Sequence, residues 1–319
     1  MHRRDVVELL LLSLLWGGAY LFMRAAVPAF GPAPLIALRM GIAAAVLLPL
    51  LAWRGGLGQL RAHPVALLVQ AVPFTALPFL MLAFAAQHLT AGLLAVLNAT
   101  APLFAALLAH FVYRERLGRW RSAGLLIGFG GVALLAADSV ALRSTLGLLA
   151  VAAVLMTSAI WAIGASFTRR RLGGLDSVAL TVGSLAVAGL ALAPLAAATW
   201  PATPPPLRAW VEMAFLGVGS SALGFLLYYR LLRRIGPVRA MSVTFLNPVV
   251  ALVAGALYLG ETVSPQTLAG AAVVLAGTAL ALGLWPGRAR PAEAMAVVAE
   301  ATVPVTPEPA RPGEVRGPS

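Results

Sequence analysis

Residues 97–117 read LNATAPLFAALLAHFVYRERL and residues 243–263 read VTFLNPVVALVAGALYLGETV. These two distant stretches share the same spacing of a proline and a glutamate around an apolar run. Pro102 and Glu115 in the first stretch recur 146 residues later as Pro248 and Glu261 in the second. Further matched positions surround them: Gly124 and Gly131 with Gly270 and Gly277 at the same separation, and Ser13, Trp16, Phe22 and Arg24 with Ser158, Trp161, Phe167 and Arg169 at a separation of 145. Self-similarity at a fixed distance indicates a duplicated architecture. In a membrane protein, two similar halves around a shared centre are typical of transporters.

The composition excludes an ordinary soluble domain. Of 319 residues, 61% are hydrophobic and 11% are charged, whereas soluble domains carry about 25% charged residues. The apolar stretches are continuous over about 20 residues and do not alternate, which predicts membrane-spanning helices and not the strands of a barrel. The lipid bilayer is therefore the expected environment of most side chains.

Several functions are excluded by what the sequence lacks. The net charge of +12 comes from arginines in short turns between apolar stretches, so we predict no nucleic-acid partner. There is no cysteine, hence no disulfide and no thiolate metal site. No phosphate-binding Walker loop, zinc-protease motif or nucleophile-elbow motif occurs. We predict no cofactor, no metal and no enzymatic activity.

Glycine, proline and arginine divide the chain into ten predicted transmembrane helices, five in each half. The halves are residues 5–137 and 145–285, and a tail of seven prolines, four arginines and four glutamates follows at 286–319. Its composition predicts a disordered cytoplasmic segment. The ten predicted spans are 5–27, 33–53, 64–86, 90–113, 119–137, 145–168, 176–198, 209–231, 237–259 and 265–285.

Arginine placement predicts the orientation of the chain. When the gaps between spans are assigned to alternate sides, 15 arginines before the tail fall on one side and 4 on the other. The arginine-rich side is cytoplasmic by the positive-inside rule, which places both termini in the cytoplasm of a prokaryotic inner membrane. Because five spans is an odd number, the second half enters the membrane from the opposite side. The sequence therefore predicts an all-α fold of two inverted five-helix repeats.

These motifs resemble a known family. The run Ser13-Leu14-Leu15-Trp16-Gly17-Gly18, Arg39 in span two, and the spacing from Pro102 to Glu115 are similar to the EamA branch of the drug/metabolite transporter superfamily. The likeness covers about residues 5–285. It implies ten helices in inverted repeats, cytoplasmic ends, a central cavity, and a small-molecule substrate such as an amino acid, another metabolite or a drug, commonly moved outward.

A stripe on span one holds the first candidate binding residues. Ser13, Trp16 and Tyr20 lie at i, i+3 and i+7, on one helix face, and Ser158 and Trp161 repeat the pattern in span six. Two opposed indoles could stack on a substrate and attract a cation. The alternative is that each tryptophan is a packed core residue with its N–H satisfied.

The second candidate group combines asparagines with helix-breaking prolines. Asn98 precedes Pro102 by four residues and Asn247 is adjacent to Pro248; the chain has no other asparagine. Proline removes a backbone donor and frees carbonyls, so amides beside broken helices would suit a polar metabolite. Interhelical hydrogen bonding is the alternative. Under the repeat, Asn98 corresponds to Thr244, which predicts an asymmetric site.

Arg39, Phe79, Phe225 and Tyr228 complete the candidate site. Arg39 lies inside span two, where a charge is costly unless it is paired or hydrated. It could bind a substrate carboxylate, extend to the outer interface, or cap carbonyls of a neighbouring helix. Phe79 and Phe225 are matched at 146 residues, and Tyr228 shares a face with Phe225. These aromatic residues form either a cavity wall or ordinary packing.

Gly124, Gly128 and Gly131 form a small-residue stripe on span five. Such a stripe permits close helix approach, as scaffold packing or as the face of a possible homodimer. Glu115 and Glu261 end spans at turns, where we expect them to bind arginines or helix N-termini.

The spans have no acidic residue near their middle, which favours facilitated exchange or uniport over proton coupling. Two alternatives remain open: a flippase or carrier for a lipid-linked or sugar-bearing substrate, and a non-transporting intramembrane enzyme or scaffold.

Overall fold

The structure is a computed structural model that describes residues 2–114, 117–138, 144–172, 174–240 and 242–283, and these ranges contain helices and no strand. Two short π-helical segments, π1 (Val72–Ala76) and π2 (Phe215–Leu223), interrupt otherwise α-helical stretches. The α-helices are α1 (Arg3–Phe30), α2 (Pro32–Trp53), α3 (Leu57–Ala62), α4 (Pro64–Ala71), α5 (Leu77–Ala86), α6 (Ala91–Asn98), α7 (Ala101–Tyr113), α8 (Arg119–Asp138), α9 (Thr145–Leu172), α10 (Ser177–Ala198), α11 (Leu207–Ala214), α12 (Gly224–Ala240), α13 (Val243–Leu259) and α14 (Pro265–Ala281).

The helices confirm an all-α, multi-pass membrane protein. Within the described ranges, seven helical stretches are long and apolar enough to cross a membrane. Predicted spans five, nine and ten correspond to α8, α13 and α14, which have 20, 17 and 17 residues. The total of ten crossings stays a prediction.

Helices α8 and α14 pack closely along a stripe of glycines. A β-carbon at Gly124 would lie 2.8 Å from the Gly277 carbonyl oxygen, and one at Gly131 would lie 2.7 Å from the Val274 amide nitrogen. As residue numbers rise along α8, the contacted numbers on α14 fall, so the two helices run antiparallel. The glycine stripe is therefore occupied by packing within this chain.

Helix α1 packs against two helical stretches of the second half, α13 and the stretch from α11 to α12. It runs parallel to α13, because Gly17 approaches Asn247 and Arg24 approaches Glu261. It runs antiparallel to the stretch from α11 to α12, because Glu8 contacts Arg234 whereas Phe30 packs on Trp210.

Helix α9 of the second half packs against the first half in the way that α1 packs against the second. The Phe79 ring packs on Trp161 and the Phe74 ring packs on Phe167, so α9 is antiparallel to the stretch from π1 to α5. Helix α9 also packs against α6 and α7, as α1 packs against α13.

The predicted helix breaks differ between the two prolines. The chain leaves α6 at Asn98 and enters α7 at Ala101, so Pro102 occupies the first turn of α7, where a missing N–H has no cost. Helix α13, by contrast, continues through Pro248 from Val243 to Leu259. The break expected at Pro248 is absent: this proline cannot donate to the Thr244 carbonyl, but the helix continues on both sides of it.

Some predictions fall outside the described residues. Glu115, the tail at 286–319 and the linker residues 139–143 belong to this group. The domain limits 5–137 and 145–285 likewise stay predictions.

Candidate functional site

A cavity of about 260 Å³ lies between the two halves of the chain. Its wall is built from the central helices α1 and α9, from both π-helical segments and their neighbours, and from α2, α6, α7, α10 and α13. Helix α10 is an addition to the helices that carry the candidate residues predicted from the sequence. Helices α8 and α14 contribute no residue to the described lining, in keeping with a scaffold role.

Nine of the predicted site residues meet at this cavity. They come from distant parts of the sequence and include both tryptophans, both asparagines and the buried arginine. The nine are Trp16, Tyr20, Arg39, Phe79, Asn98, Pro102, Trp161, Phe225 and Asn247.

Four predicted residues lie outside the lining. Ser13 is buried and donates to the Leu9 carbonyl at 2.8 Å, the backbone partner one helical turn earlier. Ser158 and Pro248 are buried among neighbouring helices. Tyr228 is buried behind Trp16, with ring centroids 5.0 Å apart. Sharing a helix face with Phe225 does not bring it to the cavity. Positions i+3 and i+4 of a helix lie on either side of position i, and here Tyr229, at i+4 from Phe225, lines the cavity instead.

The sequence interpretation missed the hydroxyl-bearing residues of α10. Thr181 and Ser184 line the cavity, and the Thr181 hydroxyl shares a short hydrogen bond with that of Tyr229. Gln70 and Thr168 also line it, joined by a 3.0 Å bond from the Thr168 hydroxyl to the Gln70 Oε1. A threonine and a serine three residues apart in an apolar helix were the available signal.

The aromatic residues form fixed walls. The Trp16 Nε1–H donates to the Ser220 carbonyl at 3.1 Å, and the indole meets the Phe225 ring edge-on at 5.8 Å. A β-carbon at Gly224 would lie 2.6 Å from that same nitrogen, so only glycine leaves room for the indole. Trp161 packs edge-on against Phe79 at 5.5 Å. Trp16 is therefore both a packed aromatic residue and part of the wall.

Arg39 is the charged residue of the described lining. It is 5% exposed, so it does not extend to an interface. Its Nε donates to the Ser221 hydroxyl at 2.9 Å and its Nη2 to the Ser220 hydroxyl at 3.3 Å. The guanidinium lies over the Phe79 ring, 4.7 Å from the centroid, a cation–π arrangement. The expected capping of helix carbonyls does not occur; the partners are side-chain hydroxyls.

Several buried polar atoms of the lining have no hydrogen-bond partner within the described chain. They are the Arg39 Nη1, the Asn98 Oδ1, the Asn247 Oδ1 and the Ser184 Oγ. The Asn98 amide is held from its other end, because its Nδ2 donates to the Tyr20 hydroxyl at 2.7 Å. Buried polar groups without partners are costly in a packed interior, so a polar ligand that reached these atoms would supply hydrogen bonds that the described chain leaves unmade.

The lining follows the sequence repeat. Many positions of the first half face the cavity together with the residue 145 or 146 places later, so both halves supply equivalent wall positions. The matched pairs are Trp16 with Trp161, Met23 with Thr168, Arg39 with Ser184, Phe74 with Ser220, Phe79 with Phe225, Asn98 with Thr244, and Ala101 with Asn247.

Two charged clusters lie at opposite ends of α1. The first, the Asp5 cluster, consists of Asp5, Glu8, Arg230 and Arg234. Arg234 lies 2.6 Å from Asp5 and 3.1 Å from Glu8, which joins the start of α1 to the end of α12. Arg230 lies 3.6 Å from Glu8 and adds to the same junction.

The second, the Glu261 cluster, consists of Arg24, Glu261 and the Ala91 amide. Glu261 accepts from the Ala91 N–H at 3.0 Å, at the N-terminus of α6, and lies 3.9 Å from Arg24. Arg24 also donates to the Ala86 carbonyl at 2.9 Å. Burial raises the pKa of the Glu261 carboxyl above its usual range, while the Ala91 N–H and Arg24 oppose that rise. Arginine and a helix N-terminus are the partners that the sequence predicted.

Within the described ranges, no three or more histidine and acidic side chains come together as a possible metal site. The chemistry of the cavity is therefore that of hydrogen bonds, aromatic faces and one fixed positive charge.

Comparison with known families agrees with this geometry. The model of the EamA-like transporter family matches residues 6–137 and again residues 148–283. The chain belongs to the EamA-like transporter family. It is a membrane protein of the transporter type, as the resemblance in the sequence indicated.

Relatives in other organisms have transporter names. A protein of Streptantibioticus cattleyicolor named "Probable terminal-alkyne amino-acid exporter" is 28% identical over 91% of this chain and 97% of its own length. The "Uncharacterized inner membrane transporter YedA" of Escherichia coli K12 is 28% identical over 88% of this chain and 91% of its own. A solved crystal structure matches with a TM-score of 0.65 at 20% identity, over 90% of this chain and all of its own; that likeness concerns the fold alone.

Proposed function

We propose that this EamA-family protein exports small polar metabolites across the prokaryotic inner membrane by alternating access around the cavity. The observation that carries the proposal is the cavity wall, in which repeat-matched positions of both halves face the same cavity. Two similar halves around one site can rock against each other and open it to either side. The name of the Streptantibioticus relative supports the outward direction.

Helix directions support ten spans in inverted repeats. If the spans alternate in direction, odd-numbered and even-numbered spans must be antiparallel. Spans five and ten (α8 and α14) are antiparallel, spans one and eight are antiparallel, and spans one and nine are parallel. Matched helices that meet in antiparallel fashion indicate a twofold axis in the membrane plane and not along its normal.

The charged clusters support the orientation and suggest two gates. Asp5 and Arg24 are separated by 19 residues of α1, roughly 28 Å along a helix, which is close to the thickness of the hydrocarbon core. The Asp5 cluster lies at the arginine-rich end, which we assign to the cytoplasm together with both termini. We assign the Glu261 cluster to the opposite face. Opening to one side would separate one cluster while the other stays closed.

The lining also bears on energy coupling. No acidic side chain of the described ranges faces the cavity, so the wall offers no carboxylate for a proton or sodium ion. This supports facilitated exchange or uniport as the mode of transport. The small cavity, with a few placed polar groups among aromatic and apolar side chains, favours a metabolite over a lipid-linked substrate.

The natural absence of cysteine allows a direct test. Ala95 and Ala105 both line the cavity; Ala95 is one turn from the Glu261 cluster, and Ala105 packs in the same apolar group as Leu9 and Leu12 near the Asp5 cluster. Single Ala95→Cys and Ala105→Cys variants are labelled with a membrane-impermeant maleimide from each face of oriented vesicles. We expect each cysteine to be accessible mainly from its own end.

Gate variants then distinguish a carrier from a pore. Arg234→Gln should raise labelling of Ala105→Cys from the cytoplasmic face. It should lower labelling of Ala95→Cys from the other face, because alternating access makes the two openings exclusive. Arg4→Gln is the matched control, since Arg4 pairs with Glu8 within α1 at 3.0 Å and joins no second helix. Labelling from the far face that stays constant in Arg234→Gln would contradict alternating access.

A further inference from the structure

Among the described residues, Arg39 is a buried cation without a carboxylate partner. The acidic side chains that the structure describes lie elsewhere: Asp5 and Glu8 in one charged cluster, Glu261 in the other, Asp176 at the N-terminus of α10, and Glu212 beside Arg208. None of them lines the cavity.

A charge in such a position is expensive. A buried ion is tolerated when it is paired and fully hydrogen-bonded. Arg39 meets only part of that need, because two serine hydroxyls accept from Nε and Nη2 while Nη1 has no partner among the described residues. Serine hydroxyls supply dipoles and no compensating charge.

We infer that Arg39 binds the carboxylate of the substrate and makes the cavity selective for organic anions; this rests on the proposed function. The guanidinium Nη1 faces no protein acceptor within the described chain, and a carboxylate is the planar anion that matches guanidinium geometry. A bound carboxylate then supplies the counter-charge that no described side chain provides to Arg39.

The asymmetry of the repeat supports a single anion-binding pole. Ser184 is the repeat partner of Arg39, faces the same cavity, and is uncharged. One half therefore supplies a positive charge and the other half a hydroxyl at the equivalent position. The wall between them includes the rings of Trp16, Phe79 and Trp161, so the substrate has an apolar or aromatic body.

The Asn98 and Asn247 oxygens define a weaker second contact. Both amide oxygens are acceptors without partners in the described ranges, so an N–H group on the substrate would find hydrogen bonds there. A neutral acceptor attracts an ammonium less than a fixed opposite charge attracts a carboxylate. The carboxylate is therefore expected to contribute more to affinity than an amino group.

Four compounds of nearly equal size separate these contributions. Phenylalanine has a carboxylate and an ammonium, 3-phenylpropionate has only the carboxylate, phenylalaninamide has only the ammonium, and 3-phenylpropionamide has neither. Binding to the purified full chain is measured by tryptophan fluorescence and by thermal shift. We expect both carboxylates to bind at least tenfold more tightly than their amides, and the ammonium to change affinity by less than the carboxylate does.

Variants at the matched pair assign the effect to Arg39. Arg39→Gln should reduce the carboxylate preference to within twofold, and Arg39→Lys should retain a part of it because the charge remains. Ser184→Ala should weaken all four compounds alike and keep the preference. Equal binding of amides and carboxylates by the natural chain, or no binding of either carboxylate at 20 mM, would overturn the inference without requiring any variant to fold.

The outcome is independent of the transport test. A cavity without carboxylate preference that still shows reciprocal cysteine labelling would remove the inference and leave the carrier. Far-face labelling that stays constant in Arg234→Gln, with an intact carboxylate preference, would remove the carrier and leave an anion-binding membrane protein.

Discussion

The two halves of this chain agree where helices pack and differ where the cavity is polar. Gly124 and Gly131 recur as Gly270 and Gly277, all at the α8–α14 contact, and Phe79 recurs as Phe225 in the cavity wall. The polar wall positions do not recur in kind, since Arg39 is matched by Ser184, Asn98 by Thr244, and Asn247 by Ala101.

This difference separates two requirements. Rocking of two halves needs equivalent packing surfaces, so the scaffold keeps its symmetry. Recognition of an asymmetric molecule needs hydrogen-bond donors and acceptors at particular places, so the binding site does not keep the symmetry of the scaffold. The repeat is therefore a guide to the helices and a poor guide to substrate contacts.

The largest effect is expected from a change in the symmetric scaffold. A β-carbon at Gly277 would lie 2.8 Å from the Gly124 carbonyl oxygen, a backbone atom that cannot move without shifting the helix. Gly277→Val should therefore lower stability by about 1–3 kcal/mol or more and reduce the yield of monodisperse protein. Thermal unfolding in detergent measures this.

Gly130→Val is the control on the same helix. Gly130 is exposed and no atom lies within 4 Å of its β-carbon position, so this change should leave thermal unfolding nearly unaltered. If both variants lose stability equally, the close α8–α14 contact is not what stabilises the scaffold.

The second prediction exchanges the arginine and the serine of the matched pair Arg39 and Ser184. Arg39→Ser should abolish the tenfold preference for 3-phenylpropionate over its amide. Adding Ser184→Arg should restore part of it, because the repeat places residue 184 at the equivalent wall position. Ser184→Arg alone serves as the comparison. A double variant without any preference would show that Ser220 and Ser221, the partners of Arg39, are essential to the anion site.

The third prediction compares the matched tryptophans. Trp16 donates its indole N–H to the Ser220 carbonyl, in the same π2 segment whose hydroxyls hold Arg39. Trp16→Phe should lower the proteoliposome flux of the best-bound of the four compounds severalfold, because it removes that hydrogen bond. Trp161→Phe should change flux by less than twofold, since the contact of Trp161 with Phe79 is a ring contact that phenylalanine retains. Equal losses would contradict the difference between the halves.

Much of the fold could be predicted from the sequence, because the length of the apolar stretches and the recurrence of proline, glycine and glutamate positions can be read from the segments themselves. The α-helical class, the family, and the meeting of residues as distant as Trp16, Asn98 and Phe225 could be predicted in this way. The continuation of α13 through Pro248 could not, because whether a proline ends a helix depends on the packing around it and not on the local sequence.

The hydroxyl-bearing part of the cavity wall on α10 escaped prediction. Thr181 and Ser184 look like ordinary hydroxyl residues in an apolar helix, and only the packing of α10 against α2 brings them to the wall. Tyr228 and Tyr229 lie three and four residues after Phe225, on either side of its position around the helix, and only the packing of α12 decides that Tyr229 lines the cavity while Tyr228 is behind Trp16. Such contacts depend on tertiary packing and not on local pattern.

The smallest expected effect concerns the two ends of α1. Burial raises the pKa of Glu261, so at a given mildly acidic pH it is protonated more than an ordinary carboxyl with its value near 4.5. The ionic contact with Arg24 is present above the raised pKa and is lost as pH falls through it. Lowering the pH at that face from 7 to about 5 should therefore raise maleimide labelling of Ala95→Cys by about twofold, since protonation weakens the tie between α1 and α13.

Glu261→Gln supplies the control, because it removes the titrating group while keeping an acceptor for the Ala91 N–H. Labelling of Ala95→Cys in that background should be higher at pH 7 and independent of pH. A pH response that persists in Glu261→Gln would place the titrating group elsewhere and would leave the Glu261 cluster a static helix cap. A response that disappears, together with a fall in Ala105→Cys labelling from the cytoplasmic face, would show that loosening one end of α1 closes the other.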